Sequence, residues 1–147
     1  MLAYDMPRKS TVKNSGDARE FDLCAYKGVE RTKHDSRDYK SGSDIEIGNQ
    51  RISVKASHAS LMSASLCKGL TEFDAIWNLY KETTHSNIFA YVTETYRVYE
   101  MNINEFEQFI YKFGILETES KKNGGGVKIR IKRENKNMIE WLSKAVA

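Results

Sequence analysis

Apolar residues at helical spacing mark the first element of the chain. Ala18, Phe21 and Ala25 recur behind Ser15, a residue type that caps helix N-termini. This spacing predicts an amphipathic helix over residues 16–30. The polar and charged residues 31–42 that follow predict a loop.

The next two apolar runs alternate with a period of two residues, as strands do. They cover residues 43–47 and 51–56, and Gly48-Asn49 stands between them. An Asn or Gly pair of this kind tolerates the positive φ angles of a tight turn. The segment therefore predicts a β-hairpin.

The remaining periodicity predicts helices and strands in mixed order. The elements are helices over 59–68 and 71–82, strands over 87–93 and 96–101, a helix capped by Asn104 and stopped by Gly114, a strand over 127–133, and a last helix holding Met138, Ile139, Trp141 and Leu142. This order predicts an α/β fold with a mixed central β-sheet flanked by helices. Residues 1–14 lack periodicity and predict a flexible N-terminal arm, followed by a single domain over 15–147.

Composition narrows the class of protein only slightly. The 147 residues carry a formal net charge of +3, which permits a nucleic-acid partner without demanding one. Cys24 and Cys67 lie in apolar surroundings and are expected to be buried, reduced thiols. The histidines lack zinc-ligand spacing, and the chain has neither an apolar run of membrane-spanning length nor an N-terminal signal peptide.

The hairpin gathers the candidate chemistry of the chain. Strand alternation places Asp44 and Glu46 on one face, and a two-residue turn brings Ser53 across from Asp44 and Lys55 diagonally near it. Carboxylates hold Mg²⁺ through hard oxygen ligands, and an ammonium stabilises negative charge on a reacting phosphate. The ordinary alternative is a surface hairpin with solvated charges and a cross-strand ion pair.

The helix before the hairpin adds a family resemblance. Gly16-Asp17-Ala18-Arg19-Glu20-Phe21, Ser43-Asp44-Ile45-Glu46-Ile47 and Ile52-Ser53-Val54-Lys55 together resemble the PD-(D/E)XK nuclease superfamily, in its Holliday-junction-resolvase-like and type II restriction-enzyme-like branches. The resemblance implies a restriction-endonuclease-like fold, Glu20 and Asp44 as metal ligands, and Lys55 as the catalytic lysine. Without it, Glu20 is an ordinary helix carboxylate paired with Arg19 or Lys27.

The chain departs from the family at Ser53, where the superfamily usually has an acidic residue two positions before the lysine. Some restriction enzymes of the superfamily carry Ser-x-Lys and take the missing carboxylate from a following helix. Glu72, with Asp74 nearby, occupies such a helix, and Glu46 is the alternative from the adjacent strand. If neither reaches the metal, the protein binds DNA without cutting it.

A basic strand suggests where nucleic acid lies. Lys128, Arg130 and Lys132 share one face, flanked by Lys121 and Lys122. Such a face neutralises phosphates and releases counterions. The alternative is an edge strand that lysines protect against aggregation.

Two interpretations are also open for the two polar residues that follow the second hairpin strand. Ser57 and His58 either contact phosphate or sugar, or cap the next helix.

These observations together predict a Mg²⁺-dependent DNA endonuclease of restriction or junction-resolving type, with Mn²⁺ as a substitute ion. The alternative is a non-catalytic DNA-binding or accessory protein on the same scaffold. The resemblance implies a homodimer acting on both strands, in a cytoplasmic protein of prokaryotic or phage origin.

Overall fold

The computed structural model describes residues 1–9, 15–30 and 44–146. Its strands are β1 (Leu2–Asp5), β2 (Ile45–Ile47), β3 (Gln50–Lys55), β4 (Ile88–Val92), β5 (Arg97–Met101), β6 (Gly114–Thr118) and β7 (Val127–Ile131), and its helices are α1 (Ser15–Lys27), α2 (Phe73–Thr83), α3 (Ile103–Phe113) and α4 (Lys136–Val146). The predicted loop over 31–42, Ser43 and residues 10–14 of the predicted arm lie outside the described residues. None of the helices in these ranges has the length and apolar character needed to cross a bilayer.

Five strands form one mixed sheet in the order β1-β5-β4-β3-β2. Among the described strands of this sheet, β3 and β4 pair in parallel and the other neighbours pair antiparallel. A parallel pair needs a crossover connection, which α2 supplies here. The predicted α/β architecture with a mixed central sheet is therefore confirmed.

The two faces of this sheet carry two separate hydrophobic clusters, because side chains alternate along each strand. On one face Ile52 and Ala90 pack with apolar side chains of α1. On the other face Phe89 packs with aromatic side chains of α2 and α3. Each cluster contains one buried cysteine outside any disulfide, Cys24 in the first and Cys67 in the second, as predicted.

A second, two-stranded sheet of β6 and β7 reaches the segment that follows β3. The N–H of Ile131 donates to the carbonyl of Ala59 at 2.8 Å, and the N–H of Leu61 donates to the carbonyl of Ile129 at 3.0 Å. The predicted helix over 59–68 is therefore wrong. Pairing with β7 satisfies the backbone of residues 59–61 in an extended form, and only a 3₁₀ turn at Ala64–Cys67 follows.

Two strands were not predicted from the sequence. Leu2–Asp5 was assigned to a flexible arm, but it pairs antiparallel with β5 at the edge of the main sheet. Gly114–Thr118 follows α3 without a loop and pairs with β7. In both cases the stabilising partner is another strand, which the local period of the segment does not reveal.

The N-cap of α3 lies two residues earlier than predicted. The side chain of Asn102, not Asn104, accepts a hydrogen bond from the N–H of Glu105 at 2.8 Å. The carboxylate of Glu105 accepts in return from the N–H of Asn102 at 3.0 Å, which completes a capping box.

Among the described residues, three tyrosine hydroxyls donate to carboxylates across the fold. The pairs are Tyr4–Glu100, Tyr91–Glu134 and Tyr111–Asp74. Burial is the largest cause that raises the pKa of Tyr4, Tyr91 and Tyr96. For Tyr111 the hydrogen bond to Asp74 is the largest cause, and it raises the pKa to about 12.

These raised pKa values predict a loss of stability in alkali. The unfolded chain releases tyrosine protons near pH ~10, whereas the folded chain still holds them, so the unfolded state binds fewer protons above that pH. The free energy of unfolding, measured in urea from about pH 8 to about pH 11, should fall through this range. Tyr91→Phe should make that fall shallower. Tyrosinate absorbance that rises at the same pH in the native and urea-unfolded chains would contradict the prediction.

Candidate functional site

The β2–β3 hairpin has the predicted turn and register. Gly48 and Asn49 form the turn, and Gly48 has a φ of +55°, which a residue without a Cβ adopts readily. The facing pairs are Ile45 with Ile52 and Ile47 with Gln50. This register brings the residues before β2 to the end of β3.

Asp44 is held against the backbone of β3. Its N–H donates to the carbonyl of Ile52 at 2.8 Å, and its Oδ2 accepts from the N–H of Val54 at 2.8 Å. The side chain is partly buried, and Oδ1 has no hydrogen bond from the described residues. The carboxylate is therefore fixed against the backbone of β3 through Oδ2, one residue before Lys55.

Lys55 ends β3 and is paired with Tyr91 of β4 in the parallel ladder. Its side chain is partly buried, and its Nζ donates to the carbonyl of Ser60 at 3.4 Å. Within residues 44–146 and the two earlier described ranges, no carboxylate lies at ion-pair distance from this ammonium. Because an ammonium has three N–H donors, Lys55 retains donors for an anionic ligand.

Ser53 lies on the aromatic face of the sheet. It is 1% exposed and pairs with Phe89, which belongs to the aromatic cluster. A carboxylate at this position would lose its hydration against apolar rings, at a cost that a serine hydroxyl does not carry. The packing therefore gives a physical reason for serine at the position where an acidic residue is usual in the resembled family.

Glu20 lies on the part of α1 that approaches the end of β4. The guanidinium of its neighbour Arg19 stands 5.8 Å from the ring centroid of Tyr96. Burial raises the pKa of Tyr91, and the charge of Arg19 opposes that rise, so Arg19 also lies near Tyr91. α1 packs on one face of the sheet, and Lys55 shares the other face with Tyr91.

The other two candidate metal ligands are exposed. Glu46 faces Arg51 across the hairpin, and Glu72 is the residue before α2. The part of the chain that the structure describes contains no group of three or more His, Cys, Asp or Glu side chains placed to hold a metal ion. The four predicted ligand carboxylates are therefore not brought together among these residues.

A network that sequence reasoning missed fixes the loop after Lys55. Glu134 accepts from the hydroxyl of Tyr91 at 3.0 Å and from the N–H of Glu94 at 3.2 Å to each carboxylate oxygen. The N–H of Glu134 donates to Oγ of Ser57 at 2.8 Å. Ser57 therefore caps no helix; it ties β3 to the segment after β7. Glu134 follows a basic strand, and nothing in its local pattern indicates this role.

The predicted basic strand face is largely neutralised by β6. Lys128 forms ion pairs with Glu119 and, at 3.6 Å, with Glu117. Arg130 pairs with Glu117 at 2.5 Å, and its Nη1 lies 2.7 Å from Nδ1 of His58. The alternative of a lysine-protected edge strand is wrong, because β7 has backbone partners on both sides.

Three predicted phosphate-binding lysines remain exposed. They are Lys121 and Lys122 in the 3₁₀ turn Lys121–Asn123, and Lys132 just beyond β7. No ion pair joins them to another described residue. Their positive charges are therefore not neutralised by described carboxylates, whereas those of Lys128 and Arg130 are neutralised by Glu117 and Glu119 of the β6 region.

Asp44 and Lys55 at the end of the hairpin carry groups of complementary chemistry. A carboxylate oxygen is a hard donor of the kind that Mg²⁺ prefers, and an ammonium offers N–H donors to an anion. No protein-family model, curated protein or solved structure matches this chain.

Proposed function

We propose that this chain is a Mg²⁺-dependent endonuclease that hydrolyses phosphodiester bonds in DNA. The observation that carries the proposal is the hairpin geometry. Asp44 is fixed to β3 by Val54, directly beside a partly buried Lys55 that has no carboxylate partner among the described residues. A partly buried ammonium gains more from a counter-ion than a fully solvated one does, and a phosphate would supply that counter-ion.

A restriction-endonuclease-like core is part of this proposal. In support of it, a helix precedes an antiparallel hairpin, and the second hairpin strand is joined through a helix to a parallel strand. The candidate residues lie on that helix and that hairpin. The order of Glu20, Asp44 and Lys55 agrees with the resemblance.

The residues present fit the ligand chemistry of magnesium. Mg²⁺ commonly keeps several water molecules and takes only one or two protein carboxylates together with substrate phosphates. Asp44 would supply one such carboxylate, and Glu20 on α1 is the candidate for a second. When bound, the ion lowers the pKa of its water and shields phosphate charge. Lys55 stabilises the negative charge that develops on the phosphate oxygens.

Asp44→Asn tests the metal ligand. The wild-type protein should nick plasmid or branched DNA with Mg²⁺ or Mn²⁺ and lose this activity in a chelator. Asp44→Asn should abolish cutting and weaken metal binding in calorimetry while DNA binding persists, because the amide oxygen is a poorer ligand. Asp5→Asn, at an exposed carboxylate of β1, is the matched control and should cut normally. Full activity in Asp44→Asn would reject the assignment.

The second candidate is a non-catalytic DNA-binding protein on the same scaffold. Two observations favour it: Ser53 occupies the usual acidic position, and one oxygen of Asp44 is already used by the backbone. This candidate predicts DNA binding with neither cleavage nor calorimetric binding of Mg²⁺ or Mn²⁺. Under either candidate we propose a homodimer, which sedimentation analysis would detect as twice the mass of the chain.

A further inference from the structure

A groove between α3 and α4 carries a concentration of positive charge. Its volume is about 420 Å³, and it opens beside the segment that joins β7 to α4. The lining residues that matter here are Lys112, Lys132, Asn135, Glu140, Trp141 and Lys144. Three lysines thus face a space that holds one acidic side chain.

The lysines of this groove keep their charge available. Lys112, Lys132 and Lys144 are exposed, and no carboxylate of the described residues forms an ion pair with them. The acidic member, Glu140, lies 4.0 Å from a different lysine, Lys136. The groove therefore differs from the β7 face, whose cations are matched by acidic residues of β6.

Trp141 forms an apolar wall of the groove. It is partly exposed, and its ring packs against Phe109 at 6.1 Å and against Phe113 at 5.7 Å between centroids. These contacts fix the indole on the aromatic core. A positively charged groove with a fixed aromatic ring is the combination that proteins use to bind nucleic-acid strands.

The groove is also close to the candidate site. Asn135 lines it and follows Glu134, whose N–H donates to Ser57, two residues beyond Lys55. Chain dimensions then place Asn135 within about 17 Å of Lys55. Since a duplex rises ~3.4 Å per base pair, this distance is about five base pairs.

We infer that this groove binds the phosphodiester backbone of a DNA molecule that extends beyond the candidate site at Lys55. The inference rests on the proposed function for its ligand, and it names Lys112, Lys132 and Lys144 as the phosphate contacts. Of these, only Lys132 was predicted from the sequence. Charge complementarity selects the ligand, because three uncompensated cations in one groove match successive phosphates of a strand.

The test is the salt dependence of DNA binding, measured by fluorescence anisotropy with a short duplex in chelator so that no cutting occurs. The triple variant Lys112→Gln, Lys132→Gln and Lys144→Gln should bind more weakly. Its slope of log affinity against log salt should be smaller in magnitude by about three, one for each lost phosphate contact.

A matched triple variant, Lys9→Gln, Lys68→Gln and Lys81→Gln, removes the same charge from exposed lysines elsewhere and should retain the wild-type slope. Equal slopes for the two triple variants would overturn the inference that DNA binds in this groove. That result would not bear on the proposed function, which cleavage by the wild type tests separately. Polyglutamate that binds the wild type as tightly as duplex DNA does would overturn nucleic acid as the ligand.

A second readout uses the indole itself. Trp77 is fully buried, so quenching of tryptophan emission by bound DNA should come from Trp141 and vanish in Trp141→Phe. Quenching that persists in Trp141→Phe would overturn the placement of DNA in this groove.

Discussion

Lys55→Met is expected to lower the rate of DNA cleavage by a factor of about 10² to 10³, the usual effect of removing one electrostatic stabiliser of a transition state. Lys55 ends β3, its ammonium donates to the carbonyl of Ser60, and its side chain is partly buried. Methionine retains an apolar stem of similar length, so the substitution removes the charge with little change in packing. Single-turnover cleavage with saturating protein measures the chemical step directly.

Lys68→Met is the matched control for this prediction. Lys68 is exposed and remote in sequence from the candidate site, so its loss should leave the cleavage rate unchanged. Lys55→Arg keeps the charge but replaces a compact ammonium by a planar guanidinium, and it should restore only part of the rate. Unchanged single-turnover cleavage in Lys55→Met, with a normal unfolding transition, would remove Lys55 from the reaction.

Phe106→Ala is expected to reduce the free energy of unfolding by about 3–5 kcal/mol, the usual cost of deleting a buried aromatic ring. Phe106 is fully buried at the centre of the aromatic cluster. Its ring stacks on Phe89 with centroids 4.5 Å apart and also contacts Trp77 and Tyr80. Because domains of this size are stable by only about 5–15 kcal/mol, the variant should be partly unfolded at moderate temperature.

Phe21→Ala is the control for the loss of a ring as such. Phe21 lies on α1 and is 47% exposed, so its removal should change stability by less than about 0.5 kcal/mol. Urea unfolding followed by circular dichroism compares the two variants under the same conditions. Similar midpoints for Phe106→Ala and Phe21→Ala would show that the aromatic cluster does not dominate the stability of the fold.

Features set by short-range chemistry were predictable from the sequence. The Gly48-Asn49 turn fixes the hairpin register, and that register places Asp44 at the end of β3. The helical stripes of α2, α3 and α4 are equally local, since residues three and four apart share a helix face. These features supplied the α/β class and the central pair of the candidate site.

Features that depend on distant partners were not predictable. Residues 59–61 have helical spacing, but they pair with β7, whose hydrogen bonds override the local preference. The neutralisation of Lys128 required knowledge of β6, and the role of Glu134 required the positions of Tyr91 and Ser57. The number of basic residues along β7 therefore overstated the positive charge that this strand has available to bind DNA.

The pairing of residues 59–61 with β7 has a consequence for biosynthesis. Lys55 donates to Ser60, and the backbone on either side of Ser60 is held by Ile129 and Ile131 of β7, which is far away in sequence. Contacts between segments so far apart in sequence form late, because loop closure precedes them. A nascent chain that has not yet exposed β7 lacks the strand that holds this loop, so the site is assembled only after residues 127–131 have left the ribosome.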